Sequence, residues 1–377
     1  MKRHTARNIW HLGIKELRSL WSDKIMLGLI LFMFTVGIYV AAGAQSRELH
    51  NAPIAFVDND RSPLSERIID AFYPPHFKHP EHISQQEIDP GMDEGLYTFV
   101  LVIPPEFQHD VLAGKLPEIQ VNVDATRMTQ AFIGSSYISS IINGEVLEFV
   151  RGYRTSTPLP IDLAVKVRFN PNLNGIWFGS VMEIMTNITI LSIILTGAAL
   201  IRERERGTIE HLLVMPLTPL EIMGAKVWAN GIVVLASAML SLFLVVKGLF
   251  QVPIAGSITL FMIGAMLHLF STTSIGIFLG TIARSMPQFG LLIILVILPM
   301  QLLSGGVTPR ESMPEIVQNI MLISPTTHFV NFSKAIMYRG AGISVVWKQF
   351  AVISLIGTVF FLIALTRFRK TVAQTQL

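Results

Sequence analysis

The sequence predicts an α-helical polytopic membrane protein with six transmembrane helices and an extracytoplasmic α/β domain between helices 1 and 2. Three observations carry that prediction. Of the 377 residues, 51% are hydrophobic and 15% charged, with a mean hydropathy of +0.53, whereas a soluble domain carries about a quarter charged residues. Uncharged stretches of the ~20 residues that a helix needs to cross the hydrocarbon recur along the chain. Lys and Arg also cluster in alternate connections, the bias that orients membrane spans. The net charge of +3 gives no case for a nucleic-acid partner, and the absence of cysteine removes disulfides, thiolate catalysis and Cys-ligated metal.

Residues 1–24 form a leader whose segment 8–21 reads as an amphipathic helix. Ile9, Trp10, Leu17, Leu20 and Trp21 share one broad face, with Lys15, Glu16 and Arg18 elsewhere. Such a helix either lies in the cytoplasmic interface or extends the first span. Residues 25–44 are span one. Ala42-Gly43-Ala44 resembles a signal-peptide cleavage site, but the apolar run is too long and the leader carries Glu16 and Asp23, so the segment reads as retained. Residues 176–201, 227–246 and 258–283 are spans two to four, with Glu183 the sole charge among them. Span five starts near Phe289 and is interrupted by Pro299 and Ser304-Gly305-Gly306; span six covers residues 349–366. Fourteen Lys and Arg flank one side of these spans, against Lys247, Arg310, Lys334, Arg339 and Lys348 in the short loops opposite. Both termini are therefore expected in the cytoplasm, and residues 45–175 outside.

Within 45–175, strands at 53–58, 97–103 and 119–123 alternate with helices at 62–72 and 106–113, followed by a long helix at 128–151. That alternation predicts a compact α/β layer. Residues 156–160, with two prolines, read as a linker back to the bilayer. His76, His79 and His82 lie three apart, but Pro74, Pro75 and Pro80 oppose a helix that would converge the rings. They read as exposed loop histidines, and no metal site is assigned.

In span four, Thr272, Gly276 and Gly280 recur every four residues, a spacing of small side chains that lets helices approach closely. Glu183 and His268 are costly to bury and so are candidates for lining a pathway. Glu183 is also near enough to the outer end to snorkel, and His268 can instead stay neutral and bond a neighbouring helix. Between spans five and six, residues 304–348 hold helical stretches near 314–323 and 328–337. Each is too short to cross the bilayer, so they sit at the outer interface or re-enter from it.

The most informative stretch follows span two: Ile201-Arg202-Glu203-Arg204-Glu205-Arg206-Gly207-Thr208-Ile209-Glu210-His211-Leu212-Leu213-Val214-Met215-Pro216. Alternating charge is expected to carry the helix of span two into water until Gly207 stops it. Thr208 can cap a short second helix with Ile209, Leu212 and Leu213 on an apolar face, ended by Pro216. Thr218-Pro219-Leu220-Glu221 has capping-box spacing, so span three begins in the cytoplasm. The short helix either rests on lipid or is covered by a partner.

This segment resembles the signature loop of the ABC-2 type transport permeases, and the resemblance extends over the whole chain. It is nearest to the drug-efflux-like inner-membrane permeases of bacteria, with a large outer domain, that pair with a separate ATP-binding subunit and often a membrane-fusion adaptor. The resemblance implies an exporter subunit with cytoplasmic termini, paired with a second permease copy or a related permease. It implies that loop 202–226 docks on the ATPase, with Glu210, Leu212 and Leu213 as contacts and Arg202, Glu203 and Arg206 flanking them, and that segment 304–348 acts as an outer lid. No GxxxxGK[ST] occurs, so ATP would be bound by the partner, and no cofactor is assigned to this chain. Two other classes compete, a polytopic membrane enzyme and a receptor with an extracytoplasmic sensor. GxSxG, HExxH and a carboxylate cluster at a membrane face are all missing, and no catalytic residue is assigned. The longest cytoplasmic segments, about 25 residues, are too short for an output module.

Overall fold

The computed structural model describes residues 2–44, 49, 51–124, 128–152, 174–207 and 217–375. The expected linker at 156–160 lies outside them. The chain divides into two compact units, Met1–Gln45 with Arg168–Leu377, and Ser46–Val167. It opens with α1 (Lys2–Ser22) and α2 (Lys24–Gly43). Asp23 between them leaves helical geometry, and its carboxylate accepts from the Met26 amide at 3.1 Å, capping α2. The leader is therefore a separate helix and not an extension of the first span.

The second unit is built on a four-stranded sheet. In chain order it contains β1 (Ile54–Asp58), α3 (Pro63–Asp70), β2 (Glu81–His82), α4 (Ile88–Asp93), β3 (Phe99–Ile103), α5 (Phe107–Leu112), β4 (Gln120–Val123) and α6 (Met128–Arg151). The strand order is β2-β1-β3-β4, with β1 parallel to β2 and β3, and β4 antiparallel to β3. β1 and β3 are apolar on both faces because both faces are covered. On one side Ile54, Phe56, Phe99 and Leu101 pack with Leu64 and Ile68 of α3, Phe107 of α5 and Ile138 of α6. On the other, Ala55, Val57 and Val100 meet Ile88 of α4. The Arg67 guanidinium forks onto Glu145 and Glu148 at 2.6 Å each, joining α3 to α6 and holding its own pKa above the ordinary value. β2 is too short to signal itself in sequence. It places His82 on an edge strand, while His76 faces the Leu49 carbonyl and the Tyr137 ring.

The first unit continues with α7 (Gly175–Glu205), α8 (Pro219–Leu249), α9 (Ile258–Ile282), α10 (Met286–Leu302), α11 (Glu315–Ile320), α12 (Pro325–Met337) and α13 (Ile343–Thr375). Among the described residues five helices, α2, α7, α8, α9 and α13, are long and apolar enough to cross a membrane, whereas α10 has 17 residues. Within their apolar windows α7 and α9 are 78% and 67% buried, against 22%, 33% and 28% for α2, α8 and α13. The first pair is thus the protein's own core, and the other three present apolar surface outward.

Two expected boundaries are corrected. Pro299 does not interrupt α10, which runs on to Leu302 and ends as the Leu303 amide bonds the Pro299 carbonyl. A proline removes one backbone donor and strains the preceding turn without ending an apolar helix that has packing support. α13 begins at Ile343, well before the expected start, because Lys348 is accommodated inside the helix. The short helix α12 is buried on nearly every side, with Thr326, Phe329, Phe332 and Ile336 all inaccessible, and packs against α7, α9 and α13. Of the two placements open to it, entry among the long helices fits this all-round burial.

Candidate functional site

The last turn of α7 is where the most elements meet. Successive helical residues point about 100° apart, so the alternating charges of 202–205 each reach a different neighbour. Arg202 donates through Nη1 to Asp23 Oδ2 at 2.8 Å, tying α7 to the α1–α2 joint. Glu203 meets Lys226 of α8 at 2.8 Å and Lys15 of α1 at 3.6 Å. Arg204 donates to the Ala283 and Gly280 carbonyls at 2.6 and 3.2 Å, placing a cation on the C-terminal end of α9. Glu205 accepts from the Met286 amide at 2.8 Å, placing an anion on the N-terminal end of α10. The expectation that these charges project into water is corrected for Arg202, Glu203 and Arg204, which are half-buried and bonded to neighbouring elements, while Glu205 and Arg206 stay exposed as expected.

Lys226 is the centre of this arrangement. It is 1% exposed and lies 3.0 Å from Glu16 as well as 2.8 Å from Glu203. A buried lysine needs such partners, since an ammonium without them is expelled or neutralised. Glu16 was expected on the polar face of the leader helix, away from its apolar stripe. It is turned inward instead, because α1 lies along α8 with Trp10 stacked on Trp228 at 5.1 Å and the Trp228 indole donating to the Ile9 carbonyl. Asn8 also donates to Glu221, whose carboxylate closes the Thr218 capping box at the start of α8.

α7 ends at Gly207, whose φ of +67° suits glycine alone without strain. Glu210, Leu212 and Leu213 lie outside the described residues. Arg206 is exposed and makes no ion pair among the described residues. Lys226, Glu16 and Asp23 are the members that sequence reasoning missed. The one available signal was a lysine abutting the uncharged run of span three, which reads equally as a membrane flank.

Farther along, α7 and α9 share a polar seam. His268 Nε2 lies 2.8 Å from Thr189 Oγ1, and Ser192 donates to Thr272 at 2.6 Å. The His268 ring stacks on Phe329 of α12 at 4.0 Å, so one side chain links α7, α9 and α12. At Gly276 a Cβ would stand 2.6 Å from the Ile193 carbonyl oxygen, which limits this position to glycine. Gly280 sits against Leu200 one turn on. Glu183 is partly buried on α7, about two turns from its first residue.

The sequence matches the family model for ABC-2 family transporter proteins over residues 24–366. It is 62% identical over 370 residues to the "Inner membrane transport permease YhhJ" of Escherichia coli (strain K12), covering 98% of this chain and 99% of that one. It is 28% identical over 345 residues to the "Probable multidrug ABC transporter permease YbhR" of the same organism, covering 90% and 92%. A third relative, "Probable multidrug ABC transporter permease YbhS", is 30% identical over 267 residues, 68% of each chain.

Proposed function

The chain belongs to the ABC-2 family of transporter proteins, and on that premise we propose that it is the membrane-spanning subunit of an ATP-driven exporter of the bacterial inner membrane. The observation that carries this reading is the charged turn Arg202–Glu205, which grips α1, α8, α9 and α10 at the root of the 208–216 loop. A separate ATP-binding subunit docks on that loop. Its movement enters through Gly207 and reaches four helices at once, because Arg202 and Glu203 are ion-paired, and Arg204 and Glu205 hydrogen-bonded, to the neighbouring elements. α10 is span five and brings the number of spans to six; its 17 residues rise about 25 Å, so it needs slight local thinning of the bilayer to cross. The sheet unit lies outside, both termini are cytoplasmic, and a second permease copy or a related permease covers apolar surface of α2, α8 or α13. The names of two relatives favour drug-like substrates, and Glu183, half-buried on α7, is a polar group set to meet them, whereas His268, inaccessible between Thr189 and Phe329, takes the other role open to it and bonds neighbouring helices.

Two experiments test this reading. The purified chain alone is expected to hydrolyse no ATP, since it lacks the phosphate cradle that P-loop hydrolysis requires. Hydrolysis should appear only with an ATPase subunit, and turnover by contaminant-free chain would end the two-subunit model. Orientation is read separately, because a cysteine-free chain gives no background to thiol probes. Gln86→Cys, at an exposed position of the sheet unit, should react with an impermeant maleimide in intact cells, and Ser285→Cys only after permeabilisation. The opposite pattern overturns the topology.

A further inference from the structure

Above the Lys226 pairs, α1, α7 and α8 leave a cavity of about 170 Å³. Leu20 and Ala199 form its apolar floor, and Lys15, Ser19, Arg202, Arg206 and Asn230 supply its polar wall. By volume it has room for about five waters at ~30 Å³ each, or for one phosphodiester. Its charges do not cancel. Glu16 and Glu203 line it too, but both are spent on Lys226, and Asp23 is spent on Arg202. Of the four cations, Lys15, Arg202, Arg206 and Lys226, one is left over, and Arg206 is the one without a carboxylate among the described residues. The second observation is independent of charge. Asn230 is 4% exposed, lines the cavity, and its Nδ2 has no acceptor among the described residues. A buried amide donor without an acceptor costs free energy comparable to a lost hydrogen bond, so an acceptor from outside the chain is expected there.

We propose that this cavity binds the phosphodiester headgroup of an anionic phospholipid, with Asn230 Nδ2 and Arg206 as its donors. One monoanion matches one surplus cation and supplies the missing acceptor. A zwitterionic headgroup fits less well, because its ammonium would need a carboxylate and all three nearby are engaged. A lipid source fits better than free phosphate because Trp10 and Trp21, 57% and 78% exposed, bracket the cavity-lining residues 15–20 along α1. Indoles in that position settle at headgroup depth. The lipid is then a wedge between α1 and the roots of α7 and α8. This site rests on the membrane placement proposed above but not on export, so its test uses neither ATP nor a partner.

The full-length chain, purified in detergent and stripped of lipid, is titrated with phosphatidylglycerol, phosphatidylcholine or inorganic phosphate, and followed by native mass spectrometry and thermal midpoint. Phosphatidylglycerol should be retained and raise the midpoint, phosphatidylcholine and phosphate much less. Arg206→Gln and Asn230→Leu should each retain phosphatidylglycerol about tenfold more weakly, the loss expected of one charge-assisted or buried hydrogen bond. Arg206 is exposed, so its variant keeps the lipid-free midpoint; Arg284→Gln, an exposed arginine outside the cavity, should retain lipid like the parent chain. Equal retention by both cavity variants and the parent overturns the site. An equal gain from phosphatidylcholine overturns anion selectivity, and an equal gain from inorganic phosphate overturns the lipid assignment.

Discussion

Lys226→Met is expected to lower the thermal midpoint of the purified chain on the order of 10 °C, from a loss of about 3–5 kcal/mol. Methionine keeps the length of the stem and removes only the charge. Glu16 and Glu203, which both lean on the ammonium at 3.0 and 2.8 Å, would then lose the cation between them, with Lys15 3.6 Å from Glu203. Their side chains are 14% exposed, too little for water to replace the lost partner. The expected result is loosening of α1 from α8, visible as protease access to the leader while the sheet unit remains resistant. The rescue is as diagnostic as the loss. Lys226→Met combined with Glu16→Gln and Glu203→Gln leaves no buried charge, and should recover most of the midpoint. If the single variant is as stable as the parent, the buried triad is not what holds α1 to the bundle.

How much of this was legible in sequence depends on the kind of signal. The long helices announced themselves, because an uncharged run of membrane length has few soluble alternatives, and strands β1 and β3 were visible as apolar runs bounded by turn residues. The Thr218–Glu221 box is wholly local and was likewise readable. What sequence could not supply was the identity of the neighbour. Residues 202–205 read as a solvated charge run because alternation of sign is the usual pattern of an exposed helix end. Only the packing of α9 and α10 beside α7 turns Arg204 and Glu205 into caps for other helices. Glu16 was misplaced for the same reason. An apolar stripe defines one buried face of α1, but the demand of Lys226 for a second carboxylate rotates another residue inward. α12 reads as an amphipathic surface segment, whereas its threonines and serine are buried along with its phenylalanines. The hydroxyls of Thr326, Thr327 and Ser333 are buried without a partner among the described residues, and since burying a small hydroxyl costs far less than burying a charge, mixed polarity of this kind is a weak guide to exposure.

The largest expected functional effect comes from Leu212→Asp combined with Leu213→Asp. The short helix expected from the sequence between Gly207 and Pro216 would have about two turns, would be marginal in isolation, and would have to gain its stability from what it docks against. Its apolar residues Ile209, Leu212 and Leu213 follow directly on the turn that grips four helices, so a partner seated there would push on the whole bundle end. Two carboxylates placed in that contact would be desolvated without a counter-ion, at a cost of several kcal/mol, enough to abolish docking. The loop is separated from the charged turn by Gly207, so Arg202 to Glu205 keep their partners and the chain should insert and fold normally. Lys226→Met and this pair therefore divide the mechanism: the first loosens the bundle, the second leaves the bundle intact and removes the hand that moves it. The double variant is expected to reach the membrane at the parental level, to keep its thermal midpoint, and to lose both co-purification with an ATP-binding subunit and drug efflux. Retained capture of the ATPase with normal efflux would remove loop 208–216 from the coupling path, whatever the geometry at its root.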